Sequence, residues 1–188
     1  MPTEAGKKVA IAFQAVKQCH SDVGRLLRDL DDPMAREGWR NAFSRDAVTY
    51  DVSKSISATY WMPYYVYRVY RSERHPGVVE GVNVRFFSDH PEFPEPLLIA
   101  GRTRYAIPDG KRLAEVAWSW DLSDGFLKWS NVGPADLNRA IPVTEAPGRP
   151  IEEMVVAATE LYSIRSLGDV LKLLELVREE PAARLSGA

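Results

Sequence analysis

The chain has 188 residues, 45% hydrophobic and 27% charged, with 24 Lys and Arg against 26 Asp and Glu for a formal net charge of -2. Such a length and composition fit one globular domain over residues 1–188 and exclude the disordered and fibrous classes, while the balanced charge supplies no global field toward nucleic acid or an anionic membrane. The single cysteine, Cys19, excludes an internal disulfide and a Cys-based zinc cluster. The opening MPTEAGKKVAIAFQAV lacks the apolar core and cleavage site of a secretory signal, and no apolar run approaches the ~20 residues that span a bilayer. A soluble cytoplasmic protein is therefore expected.

Residues 1–32 read as a long amphipathic helix. Val9, Ala12, Phe13, Val16, Cys19, Val23, Leu26, Leu27 and Leu30 recur at three- and four-residue steps, with Lys8, Lys17, Asp22, Arg25 and Asp29 on the wet side. Pro33 stops it, since the residue before a proline disfavours helix, and a short second helix is expected from Met34 to Phe43. Residues 58–132 then read as an antiparallel sheet of about five strands. ATYWMPYYVYRVYRS is rich in Tyr, Trp and Val; VVEGVNVRFF alternates; LLIAGRTRYAI follows, and IPDGK marks a turn. LAEVAWSWDL alternates as a fourth strand, with Trp118 and Trp120 on its core face, and FLKWSNV makes a fifth. Short connections favour a meander.

Over 134–180 helices are expected: a short one opening at Pro134, then Ile151–Tyr162 and Leu167–Val177, the last capped by Ser166 with Asp169 at its third helical position. Residues 181–188 read as a weakly ordered tail. The whole is an α+β domain, an antiparallel sheet with a long N-terminal helix and two or three C-terminal helices packed on it.

The motifs point away from familiar chemistry. No phosphate-binding loop, dinucleotide fingerprint or serine-nucleophile elbow is present, and no catalytic residue, metal ligand or cofactor is assigned. RFFSDHPEFPEPLLIAG gathers Asp89, His90, Glu92 and Glu95, but its three prolines enforce an extended path that splays these side chains. It reads as a stiff connection, with Phe93 as a docking side chain. Cys19 and His20 point ~100° apart on their helix and cannot act as a nucleophile–base pair.

Two features do suggest contacts. Arg68, Arg85, Arg102 and Arg104 fall on three successive strands among tyrosines, a pattern able to hold a carboxylate, a phosphate or single-stranded nucleic acid, or merely to pair with Glu80, Glu115 and Asp121 across strands. The aromatic strand carries Tyr65 and Tyr67 with further aromatics on both faces, so both need cover, from within the domain or from a partner. The late helix, with Leu174 on a broad apolar stripe, raises the same question, as does the first helix, whose stripe approximates a dimerisation seam. Tyr65, Tyr67, Phe93 and Leu174 are the expected interface residues. The reading is a non-catalytic binding or adaptor domain that self-associates or joins a protein partner, with neither nucleic acid nor membrane as target. A small enzyme or anion-binding protein built on the arginine face is the alternative, single-stranded nucleic-acid binding a third.

Overall fold

The computed structural model describes residues 3–42, 49–51, 64–88, 90–107, 112–117, 121–182 and 185. Helix α1 (Glu4–Asp29) follows its Thr3 cap, whose hydroxyl accepts the Gly6 amide at 3.1 Å. Helix α2 (Asp31–Arg36) and the short strands β1 (Trp39–Asn41) and β2 (Thr49–Asp51) come next. The sheet continues with β3 (Tyr65–Ser72), β4 (His75–Arg85) and β5 (Leu97–Tyr105). Helices α3 (Leu113–Val116) and α4 (Asp121–Leu127), strands β6 (Ala140–Pro142) and β7 (Ile151–Glu160), and helix α5 (Leu167–Glu179) complete the chain.

The expected α+β architecture is present, with an antiparallel sheet of seven strands among the described residues, two more than expected. Its order is β1-β3-β4-β5-β7-β6, with β2 sharing the outer edge of β3 with β1. The register sets the two faces: Arg68 opposes Val82, Val82 opposes Ala100, and Ala100 opposes Ala157, so these share one side. Tyr65, Arg85 and Leu97 share the other.

Both sides are covered from within. On the first, Leu27, Leu30, Met34, Val170, Leu174 and Val177 from α1, α2 and α5 bury Tyr70, Val82, Leu98 and Ala157. On the second, Leu122 and Phe126 of α4, together with Phe93 and Val143, bury Tyr67, Val69, Ile99 and Val156. Helix α4 lies close because a glycine stands on each side of the contact: a Cβ on Gly101 of β5 would stand 2.5 Å from a Leu122 methyl, and one on Gly125 of α4 would stand 2.5 Å from the Met154 sulfur.

Four readings need correction. Of residues 151–162, expected as helix, Ile151–Glu160 form β7, an interior strand between β5 and β6, and Leu161 and Tyr162 begin a 3-10 turn. Its apolar run Met154–Ala158 is continuous because both its faces are buried, and a run of that kind is indistinguishable by period from a buried helix. Residues 113–122 and 126–132, expected as strands four and five, instead contribute α3, α4 and the turn after it; Leu122 and Phe126, four apart, point together at the sheet. Trp118 and Trp120 lie outside the described residues. The second helix ends at Arg36, with Trp39 already in β1. In the expected tail, Leu185 is buried and its amide donates to the Glu152 carbonyl at 2.9 Å. Helix α5 begins where expected, Asp169 accepting from the Ser166 amide at 2.9 Å.

Candidate interaction surface

The four strand arginines are not gathered into one site. Arg85 stands on the opposite sheet face from the others. It is buried there, donating to Ser123 Oγ at 2.7 Å, Tyr64 Oη at 2.8 Å and the Phe87 carbonyl at 2.9 Å, with its guanidinium 4.4 Å from the Tyr64 ring centre. Arg68 is also buried and forks onto Asp31 of α2, its Nε donating to Oδ1 at 2.9 Å, while Tyr70 Oη donates to the same carboxylate at 2.9 Å. Burial opposes the Arg68 charge, but the Asp31 carboxylate and Tyr70 outweigh it and hold the guanidinium above its usual value. Burial, and then Asp31, push the Tyr70 hydroxyl well above the ordinary range. The trio fastens α2 to the sheet.

Arg102 and Arg104 are about one-third exposed and sit beside carboxylates. Arg104 Nε donates to Glu153 at 3.1 Å. Arg102 lies 3.7 Å from Glu80, a carboxylate already taken by Arg178 of α5 at 2.7 Å, and Arg178 reaches on to Glu37 at 2.7 Å. Burial raises the Glu80 pKa even against the pull of Arg178 and Arg102. Arg102, Arg104 and Arg178 border a cleft of about 240 Å³, together with Glu153, Glu179 and Glu180. The cleft is therefore of mixed charge, which favours no anion.

The expected interface residues all face inward. Tyr65, Tyr67 and Phe93 belong to the core beneath α4, and Leu174 to the core beneath α5. The proline-rich loop turns Phe93 into the interior, with its ring centre 5.0 Å from that of His90 and 5.4 Å from that of Phe126. His90 Nδ1 accepts the Glu92 amide at 3.3 Å, while Glu92 and Glu95 stay in solvent. Asp89 lies outside the described residues. Among the described residues no group of three His, Cys, Asp or Glu side chains is placed to hold a metal ion.

A different surface is left uncovered, and it begins on α1. The helix is ~39 Å long at 1.5 Å per residue, yet only its second half packs on the sheet. Glu4–Ala15, an arm of ~18 Å, is exposed throughout, with Val9 at 55%, Ile11 at 65% and Phe13 at 70%. Where the arm meets the body there is a groove of about 340 Å³. One wall is Ala15, Val16 and Cys19 of α1; the other is Phe86, Phe87, Pro96 and Tyr162, with His20 at its end, its ring centre 4.5 Å from that of Phe86. Phe87 is 42% and Tyr162 62% exposed. Five of the six large apolar side chains exposed among the described residues thus fall on the arm or in this groove. Burial raises the Cys19 thiol, aided by Asp22, and lowers the His20 imidazole, so both are neutral apolar wall at physiological pH.

The apolar stripe of α1 reads first as packing on its own sheet and also suits a helix-pair seam, and period alone does not say where the body ends along it. Phe87 reads with the aromatics interleaved among the strand arginines and Tyr162 as the end of an expected helix, and neither position signals that the two meet. Among the described residues, no helix is long and apolar enough to cross a membrane. The chain matches no known protein-family model, no curated protein and no solved structure.

Proposed function

We propose that this chain is a non-catalytic, cytoplasmic protein–protein interaction domain, acting as an oligomer or as a subunit of a larger assembly, and that it makes its contact through the arm of α1. The observation that carries this reading is the exposure of Val9, Ile11 and Phe13 on a helix whose other half packs on the body through Val23 and Leu27. Contiguous exposed apolar surface costs solubility unless it is covered, and it marks interaction sites. A helix of about 12 residues is also marginal in water, so a partner would add order as well as cover. The burial of Arg68, Arg85, Tyr65, Tyr67, Phe93 and Leu174 supports a contact on this helix over one on the sheet.

The test is gel filtration of the full chain in extract of its native source. The wild type should elute well above the 21.1 kDa of one chain, and the double variant Val9→Asp, Phe13→Asp should elute at the monomer position. Identical elution of the two at the monomer position would overturn the reading.

A further inference from the structure

We infer that the corner of the molecule where β1 meets the β3–β4 hairpin binds a small molecule carrying a diphosphate or triphosphate. The site lies apart from the arm of α1 and does not depend on the interaction reading.

Register supplies the first argument. Arg40 of β1 stands directly opposite Arg71 of β3, and both are exposed. Like charges in such a cross-strand pair destabilise a sheet, and an anion seated between them reverses the sign of the interaction. Arg74, in the hairpin turn, brings a third cation. Its amide donates to Ser72 Oγ at 3.2 Å, and its guanidinium carbon lies 3.8 Å from where a Cβ on Gly38 would stand, so it leans on the turn between α2 and β1. The three arginines border one hollow of about 450 Å³, whose wall is completed by Ala35, Gly38 and the buried Trp39.

The missing counter-charge supplies the second. Among the described residues, the Arg71 and Arg74 side chains make no hydrogen bond and no ion pair. Arg40 has only Glu73, 3.8 Å away, with the two side chains 78% and 84% exposed, and a pair so open to water contributes little. The hollow thus carries three cations against one carboxylate. The flanking charges keep that balance, since Glu37 is held by Arg178 at 2.7 Å and exposed Arg36 adds a further cation. The cleft beside Arg102 and Arg104 differs in this respect, its arginines being matched by Glu153, Glu179 and Glu180.

Size and shape supply the third. A guanidinium fork donates to two oxygens of a phosphate at once. Three forks offer more donors than one phosphate accepts, and two or three linked phosphates use them. The hollow is of the size that small ligands fill. No exposed aromatic side chain lines it, Trp39 being buried, so the bases of a single-stranded nucleic acid find no platform to stack on.

The experiment is isothermal titration calorimetry of tripolyphosphate into the purified full chain at low salt. Every side chain to be changed is exposed, so the variants keep the fold, checked by circular dichroism. The wild type should bind one tripolyphosphate, and Arg40→Gln, Arg71→Gln and Arg74→Gln should each weaken it about tenfold or more. Glu73→Gln should tighten it, by removing the one carboxylate that faces the anion. Arg139→Gln, beside β6 at the opposite edge of the sheet, should leave it unchanged. Without ligand, Arg71→Gln should melt no lower than the wild type, because it relieves the cross-strand repulsion. Adenosine triphosphate should bind as tightly as tripolyphosphate, which assigns recognition to the phosphates alone. A wild type that shows no saturable binding overturns the site, as does binding that Arg139→Gln weakens as much as Arg71→Gln. Tighter binding of an oligothymidylate strand than of tripolyphosphate overturns the small molecule as occupant and gives the arginines to nucleic acid.

Discussion

Strand β3 and the arm of α1 are both segments whose residues need cover, and the fold treats them oppositely. Along β3, Tyr65, Tyr67 and Val69 are buried under α4, and Arg68 and Tyr70 under α1 and α2, so the chain meets every demand itself. Along Glu4–Ala15, Val9, Ile11 and Phe13 stay more than half exposed. Aromatic load and arginine content would have ranked β3 as the stickier surface. The difference teaches that composition states how much cover a segment requires, while only the tertiary arrangement states who provides it.

The sharpest way to break the comparison is to damage the interior and see whether only folding responds. Asp121 is fully buried, accepting from Tyr105 Oη at 2.6 Å and from Arg149 Nε and Nη2 at 2.8 Å each. Asp121→Ala removes a buried carboxylate that Tyr105 and Arg149 both donate to and should cost about 3–5 kcal/mol in urea unfolding. Leu174→Ala should cost about 2–5 kcal/mol by the same measurement, through lost burial and the cavity left behind. At concentrations where the variant is still folded, its solution mass should match that of the wild type. A Leu174 variant that folds normally but loses association would reverse the assignment of interior and contact.

Helix caps give a smaller, finer test. Ser166→Ala should lower global stability by about 1 kcal/mol, because α5 is packed and its start is part of the cooperative unit. Thr3→Ala removes the corresponding cap from the arm, and there the global midpoint should not move while the amides of Glu4–Ala15 exchange faster.

The groove wall adds a pH signature. Burial against Phe86 holds the folded His20 pKa below its usual 6.5. The folded state therefore binds fewer protons than the unfolded one, so this contribution is present above pH 6.5 and lost as pH falls through the folded value. Thermal melts of the wild type should show a larger drop in midpoint between pH 7 and about pH 5 than those of His20→Gln, and equal drops would remove His20 from the account. Smallest of all, Phe13→Ala should change the stability of the dilute monomer by no more than about 0.5 kcal/mol, as for any surface substitution.

Much of this was legible in the residues, and what was not has identifiable causes. Helix α1, strands β3 to β5 and helix α5 with its Ser166–Asp169 cap each carry a local signal that agrees with the fold. Strand β7 misleads because Val155, Val156, Ala157 and Ala158 are buried alternately on both faces, which erases the two-residue period. Residues 113–122 mislead in the other direction: they alternate, yet Gly125 and Gly101 let a helix settle on the sheet where a further strand was expected. The uncovered surface was half visible. The stripe of α1 runs through it, but its junction with Phe87 and Tyr162 joins residues more than 65 positions apart, and no local pattern reports that.

The position of β7 also shapes how the molecule comes into being. Its partner β5 is complete at Tyr105, but Leu97 does not meet Glu160 until 63 residues later in the chain. During synthesis β5 thus waits as an open edge, apolar on both faces, while its permanent neighbour is still unmade. Contacts of such long sequence separation fold slowly, because the loop must be closed before the pairing rewards it. Fragments ending before residue 151 would therefore lack β7 and, with it, the strand that β6 pairs with, leaving the apolar edge of β5 as the place where immature chains find one another.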